Sequence, residues 1–121
     1  MDIDNKIEKF IKAHHVLTLA TATLNGEPYC CNCFYAYDKE SAAFIFTSGM
    51  DTHHSQMMAQ NNCVAASIVL ETRTVGKIQG LQITGHIKTA KDSDKTQAFS
   101  LYGNSRPHIM EIGGRFYETN R

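Results

Sequence analysis

The chain has 121 residues, twelve Lys+Arg balanced by twelve Asp+Glu, and 42% hydrophobic residues. That length holds one core rather than two, and the composition excludes disorder and fibrous repeats. A formal net charge of zero lacks the basic surplus that nucleic acids and anionic membranes select, so neither is expected as a partner. The opening Met1-Asp2-Ile3-Asp4 has the wrong charge for a signal peptide, and the weakly polar run Val16 to Leu24 is too short to span a bilayer. A cytoplasmic location is therefore expected, in which Cys30, Cys31, Cys33 and Cys63 stay reduced.

Ile3, Ile7, Phe10 and Ile11 recur at helical spacing with Lys6, Glu8, Lys9 and Lys12 opposite, which predicts an amphipathic helix over about 3–14. Val16 to Thr23 is rich in β-branched residues and stops at Asn25-Gly26, a hairpin signal. Tyr29 to Tyr37 reads as the return strand, Asp38 to Ser41 as a turn and Ala42 to Thr47 as a further strand, giving a meander. Asp51 or Thr52 can cap a short helix carrying His53, His54, Met57 and Met58, with Asn61-Asn62 as its stop. Cys63 to Leu70 is apolar enough for a buried strand, and Glu71 to Lys77 is a polar loop. From Ile78 to Thr89 the pattern alternates, with Leu81, Ile83 and Ile87 on one face and Gly80, Gln82, Thr84 and His86 on the other. Gly80 and Gly85 imply a bulge, a bend or a ligand against bare backbone. Asp92 and Ser93 can cap a last helix that ends at Gly103, and a short tail follows. Residues 1–121 thus form a single, mainly β domain, a small barrel decorated by helices.

Cys30-Cys31-Asn32-Cys33 invites a metal or redox reading, but in a strand Cys31 and Cys33 share a face while Cys30 points the other way. Reduced, half-buried cysteines behave as small hydrophobes, and no metal site is expected. His14-His15 suits the C-terminal end of the first helix. His86 and His108 have no catalytic partner visible in the sequence. Phe46-Thr47-Ser48-Gly49-Met50-Asp51-Thr52-His53-His54 is more informative, because it puts hydroxyls, a glycine and two imidazoles where a strand ends and a helix begins. A helix N-terminus with unpaired N–H groups suits a phosphate. An ordinary capped helix with exposed histidines explains the same composition equally well.

Gly26-Glu27-Pro28-Tyr29, Phe46-Thr47 before the short helix, Thr52-His53-His54-Ser55-Gln56-Met57 and Ile78-x-Gly80-x-Gln82-x-x-Gly85 occur in an order that resembles the pyridoxamine 5'-phosphate oxidase-like family, closest to its YhbP-like branch. The resemblance covers about 3–110. It implies a six-stranded, antiparallel, Greek-key-like split β-barrel with peripheral helices, dimerising with itself around FMN in a groove between subunits. It implies cofactor contacts from Cys31, Asn32, Cys33 and Phe34 beside the flavin ring. Phe46, Thr47, Thr52, His53 and His54 would lie at the ribityl-phosphate end, and Gly80 and Gln82 near the ring. His53 and His54 stand where the family usually has Arg-Lys, which implies weaker and more pH-sensitive phosphate binding. Ala36 replaces the lysine of true pyridoxamine phosphate oxidases, and the C-terminus lacks their Arg-x-His, so that reaction is not expected. The resemblance implies an FMN-dependent oxidoreductase acting on an unknown small molecule, without naming a catalytic residue. A non-catalytic ligand-binding or haem-binding dimer is the alternative.

Overall fold

The computed structural model describes residues 5–49, 53–89 and 105–120. In chain order these form α1 (Asn5–Ala13), β1 (Val16–Ala22), β2 (Pro28–Phe34), β3 (Ala36–Asp38), β4 (Ala43–Gly49), α2 (His53–Gln60), β5 (Cys63–Leu70), β6 (Gln79–Thr89) and β7 (Ser105–Asn120). Asp51 and Thr52, expected as caps of α2, and the helix expected between Asp92 and Gly103 lie outside the described residues.

All seven strands belong to one antiparallel sheet in the order β2-β1-β5-β6-β7-β4-β3. Its two outermost strands, β2 and β3, are consecutive in the chain with only Tyr35 between them. The sheet therefore curls until its edges are two halves of one bent strand, which makes a split barrel. Counted as one bent strand, β2 and β3 reduce the seven to the six that the family resemblance implies. The expected single return strand from Tyr29 to Tyr37 is broken because β2 follows β1 while β3 follows β4.

The hairpin between β1 and β2 forms where Asn25-Gly26 placed it. Gly26 has φ +89°, and its N–H donates to the Thr23 carbonyl at 2.9 Å while Glu27 N–H donates to the Thr23 hydroxyl at 3.0 Å. The expected short tail is instead β7, a strand of 16 residues. Pro107 and Gly113-Gly114 disguise it in the sequence. Pro107 pairs opposite Thr47, and the register with β6 shifts between Ile83 and Gly85, opposite Phe116 and Ile112. The two glycines thus occupy a bulge.

Inward residues of the strands fill the barrel: Leu17, Leu19, Phe44, Phe46, Ile68, Leu81, Ile83 and Met110 are almost completely buried. Helix α1 closes one end with Ile11 buried and Ile7 and Phe10 packed against the core. Its C-terminal turn is tied by a 2.8 Å hydrogen bond between His14 Nδ1 and the Phe10 carbonyl. The Tyr35 hydroxyl donates to the Ile11 carbonyl at 2.6 Å, and Tyr35 N–H donates to the His15 carbonyl at 2.9 Å. Buried Glu8 accepts from Lys12 at 3.1 Å and from Lys39 at 3.4 Å, joining α1 to the turn between β3 and β4.

Candidate functional site: an uncharged sheet face

Strand alternation sends every second residue of β2, β1, β5 and β6 to the outside of the barrel. The pairing aligns these in rows. Asn32, Thr18, Ser67 and Gln82 form one, and Cys30, Ala20, Ala65 and Thr84 the next. Beyond them Pro28 pairs with Ala22 and Cys63 with His86. None of these twelve positions is Lys, Arg, Asp or Glu, although such residues make up 20% of the chain. Phe34, 78% exposed, with exposed Val16 and Val69, extends the uncharged surface beyond the polar row.

Small side chains leave a depression on this face. A solvent-open groove of about 520 Å³ is lined by Ala20, Thr21, Ala22, Pro28, Cys63, Val64, Ala65, Thr84, Gly85 and His86. Such a volume lies within the range that holds small ligands and cofactors. Beside it, the Thr18 hydroxyl donates to Asn32 Oδ1 at 2.8 Å. The arrangement suits a flat molecule whose rim carries hydrogen-bonding groups, because Ala and Thr side chains let a ring approach the sheet closely.

At the end of β2 where Pro28 borders the groove, Tyr29 meets α2. Its ring lies 4.7 Å from the His53 ring, edge to face at 80°. Thr21, opposite Tyr29, has two alternative acceptors for its one hydroxyl proton, the Tyr29 carbonyl at 3.4 Å and the Met57 sulfur of α2 at 3.5 Å.

Of the residues read from the sequence, Asn32 and Gln82 fall in one outward row, and Phe34 and Gly80 lie on the same outward alternation. Cys31 and Cys33 turn to the other face: Cys33 is buried, Cys31 packs against the core, and their sulfurs are 3.9 Å apart. Burial pushes both thiols up, Cys33 to about 12, so they remain protonated and poor as nucleophiles or metal ligands. Phe46 is enclosed in the core, and Thr47 pairs in β4 opposite Pro107. His53 is the exposed first residue of α2 and His54 the second, while Thr52 lies outside the described residues. Sequence reasoning did not single out Thr18, Ser67 and Cys63 as site residues. Alternation places each on a face, but only the pairing of strands distant in sequence shows which faces join. Among the described residues no group of three or more His, Cys, Asp or Glu could hold a metal, and no helix is long and apolar enough to cross a membrane.

A curled antiparallel sheet closed through one bent strand, with a helix at the groove end, defines a split barrel. The sequence model of the pyridoxamine 5'-phosphate oxidase family matches residues 3–115, and the chain belongs to that family. A UPF0306 protein of Photorhabdus laumondii is 37% identical over 114 residues, covering 94% of this chain and 79% of that protein. Among solved structures, the heme storage protein HutZ of Vibrio cholerae superposes with a TM-score of 0.76 at 12% identity, covering 97% of this chain and 94% of that one. A FAD-binding protein of Mesorhizobium loti superposes with a TM-score of 0.72 at 18% identity, covering 93% of this chain and 89% of that one. At these identities the structural likenesses establish the shared fold alone.

Proposed function

We propose that the chain is an FMN-binding homodimer of the cytoplasm, an oxidoreductase acting on a small molecule, with the flavin ring over the groove and its phosphate near the start of α2. The observation that carries this reading is the polar row of Asn32, Thr18, Ser67 and Gln82 beside a groove floored by small side chains, all on an uncharged face. FMN would supply the electron transfer, while the chain would bind, orient and shield it. In this reading Asn32 and Gln82 would hydrogen-bond a ring edge, and His53 would meet the phosphate. Asn32 lies four positions beyond Pro28 along β2, about 13 Å, a span suited to a molecule with a ring at one end and a phosphate at the other. A second copy lying against the same face would cover the groove, and the absence of charge there removes both repulsion and a desolvation cost.

Titration of the purified protein with FMN and riboflavin, followed by flavin fluorescence, tests the reading. Saturable FMN quenching that riboflavin reproduces only weakly, and that the double variant His53→Ala/His54→Ala loses, is the expected result. Equal binding of both flavins, or of neither, would overturn it. The second reading, a haem-binding dimer, is favoured by exposed His86 in the groove, which has the chemistry of an axial ligand. HutZ, a heme storage protein of the same fold, lends it further support. Under that reading haemin gives a Soret shift that His86→Ala abolishes, and FMN does not compete.

A further inference from the structure

We infer that Cys63 is the reactive thiol of the groove, with His86 accepting its proton and Glu111 orienting His86, and that it forms a mixed disulfide with a small uncharged disulfide entering the groove. The three residues lie far apart in sequence, and the sheet brings them into one row: Cys63 of β5 pairs with His86 of β6, and His86 with Glu111 of β7. All three are exposed on the same outward face. Directly opposed side chains on neighbouring antiparallel strands start about 4.5–5.5 Å apart, within reach of one another by ordinary rotamer changes. Thiol, imidazole and carboxylate in that order are a nucleophile, a base and a group that orients the base. Cys63 and His86 both line the groove of about 520 Å³, so a molecule lying in it meets both.

The backbone around this row is tied. Asn61 Oδ1 accepts from Cys63 N–H at 3.2 Å, and the Asn62 carbonyl accepts from Ile87 N–H at 2.9 Å, which fixes the start of β5 against β6. Lys88 Nζ holds one oxygen of Glu111 at 2.9 Å, and a carboxylate has a second to offer. The Cys63 sulfur lies 4.0 Å from Asn62 Oδ1, too long to tie the thiol down. Cys30 is the internal comparison: it is also exposed, but it faces Ala20 rather than a base. As Cys63 Sγ attacks one sulfur of the entering disulfide, its proton passes to His86. A new S–S bond forms, the old one breaks, and the departing sulfur leaves with the electron pair and takes a proton from His86. Cys63 is oxidised to the mixed disulfide, and the departing half is reduced to a thiol. The groove lining contains no Lys, Arg, Asp or Glu, so a charged disulfide would lose its hydration there without a partner. The site does not depend on which cofactor the groove takes.

Dipyridyl disulfide, a neutral aromatic disulfide, tests this on the full chain, with the modified cysteine located by peptide mass. At pH 7 Cys63 should react at least about 10-fold faster than Cys30. His86→Asn should remove that lead, and Glu111→Gln should slow Cys63 about 2- to 5-fold. At about pH 9.5, where an ordinary thiol is mostly ionised without help, the unaltered protein and both variants should react alike, which a merely structural loss would not allow. Equal rates at Cys63 and Cys30 at pH 7, a lead that survives His86→Asn, or a loss that persists in alkali would overturn the inference. An unchanged rate in Glu111→Gln would strike the carboxylate from it.

Discussion

Gly85 stands at the bulge between β6 and β7, where a side chain would run into the Glu111 carbonyl. Backbone cannot yield as a flexible side chain can, so Gly85→Ala should cost about 1–3 kcal/mol, read as a lower urea midpoint with an unchanged slope. The thiols show the same dependence on local surroundings. Cys30 and Cys63 are exposed in the single chain, Cys31 is half-buried and Cys33 is buried, so with the sheet face uncovered, as in an Ala65→Arg monomer, iodoacetamide should label the first two fastest and Cys33 only after denaturation. At this scale the sequence was legible wherever alternation decides: Cys31 and Cys33 share a face as their spacing requires. Which of the two faces meets a ligand depends on curvature of the sheet, and that is not written in a local pattern.

Helix α1 is held by contacts of different kinds, and they respond to different conditions. Glu8 is paired with Lys12 and Lys39, whose hydrogen bonds hold its carboxyl below its ordinary value of 4.5. A depressed carboxylate contributes stability above its unfolded pKa and loses it as the pH falls through the folded one. Glu8→Gln should therefore melt earlier than the unaltered protein at pH 7, with the gap closing in acid below about pH 4. Tyr35→Phe removes the hydroxyl that caps the Ile11 carbonyl and should cost about 1 kcal/mol, with faster amide exchange confined first to α1. The helix itself was plain from the 3.6-residue spacing of Ile3, Ile7, Phe10 and Ile11. The break at Tyr35 was not, since Tyr29 to Tyr37 is uniformly suited to a strand and only closure of the barrel divides it. β7 was hidden by Pro107 and Gly113-Gly114, which signal loops when their partner strands are unknown.

For the whole molecule, the proposed homodimer through the uncharged face can be tested directly. Ala65→Arg puts a charge at its centre without touching the core, and sedimentation should show a monomer that keeps its far-ultraviolet spectrum and thermal cooperativity. Alkali should also act on the fold as a unit. Cys33, ordinarily 9.0, and Tyr35, ordinarily 10.0, are both pushed up to about 12 by burial. Groups raised in this way stabilise the fold below their unfolded pKa values and cease to do so as the pH climbs through the folded ones. Thermal midpoints should fall from about pH 9 upward, less steeply in Cys33→Val. The position of β7 has a consequence for folding. Although it is the last of the described strands in sequence, it lies between β6 and β4 in the sheet. β3 and β4 therefore join the hydrogen-bonded ladder of the other strands only through β7. Closure of the sheet rests on pairings between strands distant in the chain, a topology that slows folding.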